Sequence, residues 1–164
     1  NPTAGGVGSR IDVLEHVFKN KIENTLFAGI YNEEIFRELK NKKNKIVIKD
    51  TFSKKKISIS IDKFYLKNDN AIVISNNNTV IFTKYRKPFH YLSDFKELNI
   101  NLKKYKILVV KSGYLSPELK KLKADNFMIL TDGFVTQDFK RIKNLFREKP
   151  IYPFQKNFRY NIAI

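Results

Sequence analysis

A short apolar run, Ile107–Val110, places the tightest constraint on how this chain folds. It is rich in β-branched residues and bounded by polar ones, with Tyr105 and Lys106 before it and Lys111, Ser112 and Gly113 after it. A run that short reads as a strand buried on both faces, the kind found at the centre of a parallel or mixed sheet. The abrupt stop at Lys111 then matters, because ligands in open α/β sheets gather beyond the carboxyl ends of such strands. The plainer reading is that Lys111 leaves the core and Ser112 and Gly113 make a turn.

The chain has 164 residues, of which 42% are hydrophobic, and this suits one domain over 1–164 with one sizeable core. It has no Cys, so disulfides and thiolate zinc sites are excluded. No apolar run approaches the ~20 residues of a membrane span, and no signal peptide opens the chain, so no membrane association and a cytoplasmic location are expected. The first residue is Asn1 rather than Met, and the expectation is a piece of a longer or processed protein. The net charge of +16 points toward nucleic acid or another polyanion. That pull is offset by composition. The positive charge is overwhelmingly Lys, whereas Arg is the usual bidentate reader of phosphates and bases. Lys comes with abundant Asn, Ile, Phe and Tyr, the set that AT-rich codons favour. The clusters Lys40–Lys45, Lys54–Lys56, Lys103–Lys104 and Lys120–Lys121 fall at separate loops and helix ends. Nucleic acid is therefore not expected as the partner.

Near the N-terminus, Gly5, Gly6 and Gly8 make a glycine-rich loop. Ile11, Leu14, Val17 and Phe18 follow at helical spacing, which predicts a helix from about Arg10 with Ser9 as N-cap and Asp12 in the first turn. A glycine loop feeding a helix N-terminus presents free N–H groups to an anion. There is no Gly-Lys-Ser/Thr phosphate loop and no preceding strand for a dinucleotide fold, so a simple flexible loop is the competing reading. Thr25–Ile30 reads as a buried strand. Asn32 is placed to cap a second helix through Lys40, with Ile35, Phe36 and Leu39 inward. Ile46–Ile48 is the next strand. From Lys56 the period changes to two, with Ile57, Ile59 and Ile61 alternating with polar residues. Ala71–Ser75 and Thr79–Thr83 flank Asn76, Asn77 and Asn78, a hairpin turn. Tyr91–Leu98 reads as a short helix, and Ser116, Pro117 and Glu118 open another with Leu119 and Leu122 inward. Phe127–Leu130 reads as a further short strand. Thr136 is placed to cap a helix carrying Phe139, Ile142 and Leu145, and Pro150–Phe154 must be extended.

The residues alone do not complete an active site. Only His16 and His90 exist, not spaced as a zinc pair; His16 reads as a polar-face helix residue and His90 as a loop residue. No Gly-x-Ser-x-Gly elbow occurs.

Six segments, in order, resemble the C-terminal domain of the microcystinase C-like zinc metallopeptidases. Asn1, Pro2 and the glycines up to Gly8 resemble that domain's opening. Ala28–Glu34 resembles its Gly-Pro-Ile-Tyr/Trp-Asp-Pro-Glu segment. Val80–Arg86 resembles a strand ending in Ser-Arg-Arg. Leu98–Ser112 lies close to the pattern LGIDP..Y.IVVVKS. Leu130–Asp138 resembles a TPG.T..D turn, and Lys149–Phe154 resembles RPIYPLD. This sequence departs at Ser9, where the family usually has Asp, at Asp132, where Pro is common, and at Lys87 and Lys149, near positions that are often Arg.

The resemblance implies an α/β fold: a mixed β-sheet flanked by helices, with an antiparallel hairpin section around Ile57–Thr83 that the period-two pattern also predicts. It implies that the zinc ligands of the complete enzyme lie in an N-terminal domain absent from this chain, which itself binds no zinc and carries no catalytic residue. The expected partners are that N-terminal catalytic domain and a peptide or amide substrate, with oligomeric state open. Gly5, Gly6, Gly8, Arg86, Lys111 and Ser112 are the candidate contacts for an anionic part of the substrate. A stand-alone binding or assembly module, and a Lys-driven polyanion binder, are the alternatives.

Overall fold

The computed structural model describes residues 8–41, 44–133 and 138. The helix expected from Thr136, the extended Pro150–Phe154 segment, and Gly5 and Gly6 all lie outside them.

Two asparagine turns build the middle of the chain. β4 (Lys63–Lys67) and β5 (Asn70–Ser75) are joined by Asn68 and Asp69, and β5 and β6 (Asn78–Thr83) by Asn76 and Asn77. All four turn residues have φ between +48° and +58°. Two successive residues with positive φ match the twist of the flanking strands, and Asn and Asp tolerate that conformation best after Gly. Asn78 belongs to β6 rather than to the turn, since it pairs with Ser75.

β1 (Thr25–Tyr31) lies parallel to both β6 and β7 (Ile107–Val110), giving a five-stranded sheet in the order β4-β5-β6-β1-β7. The fold class is α/β with a mixed sheet, as expected. Its buried centre, however, is β1. β7 is the outermost strand among the described residues; Ile107 is 39% exposed and Leu108, Val109 and Val110 are half-buried. A four-residue apolar run cannot by itself distinguish a central strand from an outer one. β2 (Lys45–Lys49) and β3 (Lys56–Ser60) form a separate antiparallel ribbon.

Apolar layers cover both faces of the sheet. On one, Phe27, Val80 and Phe82 pack with Leu14 and Val17 of α1 (Asp12–Lys19), Ile35 and Leu39 of α2 (Glu34–Lys40), and Ile46, Ile48 and Ile59 of the ribbon. On the other, Leu26, Ala28, Ile72 and Ile81 pack with Phe95 of α3 (Leu92–Lys96), Leu119 of α4 (Pro117–Lys120), and Phe89. Gly29 interrupts β1 with φ +86°, and the pairing with β6 slips between Ala28 and Ile30. An added Cβ there would meet Phe89 Cδ2 at 3.0 Å and the Lys87 carbonyl at 3.2 Å. The position needs glycine for its backbone angle and for the close approach of the 87–89 segment.

Several expected boundaries shift. α1 has Ile11, not Ser9, as its N-cap, and the Ser9 hydroxyl instead meets Thr51 Oγ1 at 2.6 Å. Asn32 does accept from the Ile35 amide at 3.3 Å, as a cap should. Ser116 accepts from the Leu119 amide at 3.3 Å, and Pro117 opens α4. Phe127–Leu130 is not a strand; Phe127 is 84% exposed, and the run shares the lining of a cleft with β7 instead of extending the sheet. Apolar, β-branched content predicts a strand only where a partner edge accepts the ladder. Among the described residues no helix is long and apolar enough to cross a membrane.

Candidate functional site

Because β6, β1 and β7 run parallel, their carboxyl ends at Thr83, Tyr31 and Val110 finish on one edge of the sheet. The segment leading into α1 lies across that edge. Gly8, at φ +85°, gives its carbonyl to the Tyr31 amide at 3.2 Å and to Lys111 Nζ at 2.6 Å. Lys111 Nζ also donates to the Arg10 carbonyl at 2.6 Å. Burial lowers the Lys111 ammonium from 10.5 to about 7; Asp50 and Asp12 resist the fall and Arg10 adds to it.

Asp50 follows β2 and is 2% exposed. Its Oδ2 accepts from the Ile11 amide at 3.3 Å, and its Oδ1 from the amides of Phe52 at 2.7 Å and Ser53 at 3.0 Å. Arg10 Nε lies 3.4 Å from Oδ2. Burial pushes this carboxyl upward, but the Ser53 and Phe52 amides, Arg10 and the Ile11 amide outweigh it and hold the pKa below 3.8. The anion-accepting N-terminus that the glycine loop suggested is thus taken by the chain's own carboxylate. Arg10 completes the cluster: Nη2 is 2.5 Å from Asp12 Oδ2, and the guanidinium lies 5.0 Å from the centre of the Phe52 ring. Arg10 and Lys111 face Asp12 and Asp50, and Lys55 lies 3.9 Å from Asp12 and 3.5 Å from Glu15, so charges balance three against three when Lys111 is protonated.

Ser112 turns the other way. Its hydroxyl donates to the Tyr114 carbonyl at 2.5 Å and lies 3.1 Å from His90 Nε2. A serine has one hydroxyl hydrogen, so with that hydrogen on Tyr114 the His90 Nε2–H donates to Ser112 Oγ. Ser116 donates to the His90 carbonyl at 2.5 Å, and Asp94 Oδ2 accepts from the His90 and Tyr91 amides at 3.0 and 2.9 Å. The loops after β6 and β7 are therefore joined through His90.

Of the residues expected from sequence, Gly8 and Lys111 touch directly and Ser112 stands beside them. Arg86 is exposed beyond the carboxyl end of β6 and does not line the cleft next to Lys111. That cleft, about 820 Å³, has Leu14, Phe27 and Ile30 among its apolar lining and Arg10, Asp12 and Lys111 among its charged lining. The sequence reading missed Asp50, Arg10, Thr51 and His90. Asp50 followed by Thr51, Phe52 and Ser53 after a strand is a recognisable Asx-turn pattern, but nothing local ties it to Ile11, 39 residues away.

The histidines do not form a metal centre. His16 is exposed on α1, with its carbonyl accepting from Asn20 Nδ2 at 2.8 Å, and His90 is engaged with Ser112. Among the described residues no group of three His, Cys, Asp or Glu side chains is arranged to hold a metal ion. These residues do not fit a zinc site.

The family model described as MlrC C-terminus matches residues 48–144. No curated protein sequence matches the chain. Among solved structures, the chain is similar to the crystal structure of a candidate metallopeptidase from Mesorhizobium sp. BNC1, with 11% sequence identity and a TM-score of 0.59. The match covers 93% of this chain and 36% of that one, so the chain spans about a third of the length of that structure. At this identity the likeness is one of fold.

Proposed function

The chain belongs to the MlrC C-terminus family, and from that premise we propose that it is the C-terminal domain of a zinc-dependent metallopeptidase or amide hydrolase. In this reading, 1–164 is one domain that forms a wall of the substrate cleft, and the zinc is held by an N-terminal domain of the same protein. The family match carries the proposal. Coverage of only 36% of the similar structure supports a larger whole.

This chain's own part is to bind and to orient. The carboxyl edge, with Gly8, Arg86, Lys111 and Ser112, is the face turned to a peptide or other amide substrate, as expected of strand ends in α/β sheets. Gly5 and Gly6, next to Gly8 in the sequence, are proposed as further substrate contacts. Holding the scissile amide in a fixed geometry is a catalytic contribution in itself, because it removes orientational freedom before the reaction.

The test is metal and activity analysis of two proteins, the isolated 164-residue chain and the complete protein. The complete protein should retain zinc and hydrolyse peptides, and the isolated chain should do neither. One tightly held zinc per isolated chain, or amide hydrolysis by it, would overturn the proposal.

A further inference from the structure

At the carboxyl end of β7, two of the three N–H donors of Lys111 are already used. They go to the carbonyls of Gly8 and Arg10, both at 2.6 Å, so the lysine grips the backbone on either side of Ser9. Ser9 is itself buried, with its hydroxyl on Thr51. The Tyr31 amide holds the Gly8 carbonyl at 3.2 Å, and Asp50 holds the Ile11 amide at 3.3 Å. One short stretch of backbone is thereby tied to β7, to β1 and to the loop after β2.

Charge supports the same reading. Lys111 faces Asp50 and Asp12, with Arg10 beside them. With Lys55 between Asp12 and Glu15, three cations against three carboxylates leave no surplus positive charge to draw in a substrate carboxylate. An ammonium committed to two charge-assisted bonds would have to surrender them to turn toward an anion.

We propose that Lys111 is a positioning residue of the substrate-facing edge, fixing the backbone of Gly8–Arg10 and acting on substrate only through that segment. The proposal rests on the reading of the chain as a peptidase domain, and it replaces direct anion contact by Lys111 with control of loop geometry.

The experiment uses the complete protein with Lys111 intact, Lys111→Met and Lys111→Arg. Two synthetic peptides are compared, identical except that one ends in a free carboxylate and the other in an amide. Hydrogen exchange of the Ser9–Asp12 amides is followed in parallel. Lys111→Met should lower kcat/KM for both peptides by the same factor, about 10-fold or more, and speed exchange in Ser9–Asp12 by about 10-fold or more. Lys111→Arg, which keeps paired donors, should recover most of both losses. A loss confined to the carboxylate peptide would show direct anion contact and overturn the proposal, as would unchanged kinetics with both peptides. If the unaltered complete protein cleaves no peptide, the peptidase reading fails, and exchange alone then decides: acceleration in Lys111→Met sustains the positioning role and unchanged exchange ends it.

Discussion

Removing the Asp50 carboxylate should cost this protein more than any other single polar change described above. Its two oxygens accept three backbone N–H bonds, at 2.7, 3.0 and 3.3 Å, and face Arg10 Nε at 3.4 Å. Each buried donor left without a partner costs about 1–3 kcal/mol. Phe52 is 40% exposed, so water can serve its amide, but Ile11 is 1% exposed and its amide would stay bare. Arg10 would keep only Asp12. We therefore expect Asp50→Ala to lose about 3–4 kcal/mol. Asp50→Asn should lose about half as much. Its carbonyl oxygen can still serve Phe52 and Ser53, while its NH₂ group would oppose the Ile11 amide and Arg10. Urea unfolding of the three proteins at pH 7 measures both steps, and a loss under about 1 kcal/mol for Asp50→Ala would refute the reasoning. Acid supplies an independent check. The folded-state pKa of Asp50 lies below its unfolded value of 3.8. Its stabilisation should be fully present above that value and vanish as pH falls through the folded pKa. The gap between the native protein and Asp50→Ala should narrow over that same interval.

Lys111 makes a pH prediction of the same sign in the alkaline range. Its folded pKa, about 7, lies below the unfolded 10.5, so the folded state gives up the proton first. Relative to Lys111→Met, the native protein should gain roughly 1.4 kcal/mol of stability per pH unit between those values, and about 4–5 kcal/mol across the whole interval. A pH-independent difference in urea unfolding would contradict this. Gly29→Ala should cost about 2–3 kcal/mol, from the positive φ and the 3.0 Å approach of Phe89. Thermal unfolding should fall by about 5–10 °C, and an unchanged melting temperature would show that the 87–89 segment yields freely.

The parts legible in the sequence were those set by local chemistry. Alternation at Ile57 and Ile59, the asparagines at Asn76 and Asn77, and the Ser116–Pro117 start of α4 each carry their physical cause within a few residues. β7 was found but misplaced, because apolar content reports burial and says nothing of how many strands flank a strand. Ser9 looked like a helix cap, yet the donor it would have served at Ile11 is met by Asp50. The resemblance identified the family, and the abrupt end of the Ile107–Val110 run directed attention to Lys111 and Ser112. Their hydrogen-bond partners at Gly8, Arg10, His90 and Tyr114 are set by tertiary folding, and no spacing rule predicts them.

The slip at Gly29 resets the alternation of β1. Leu26 and Ala28 belong with α3 and α4, whereas Ile30, which strict alternation would send to the same side, packs with α1 and α2. Deleting Gly29 itself would restore regular pleating with Ala28 and Ile30 still on opposite faces. Deleting a neighbouring residue and keeping the slip would instead turn one part of the strand to the wrong side and disturb the Tyr31 amide that anchors Gly8. Insertions and deletions should therefore be tolerated far less in this strand than in the hairpins, whose turns can lengthen without changing which way a side chain faces.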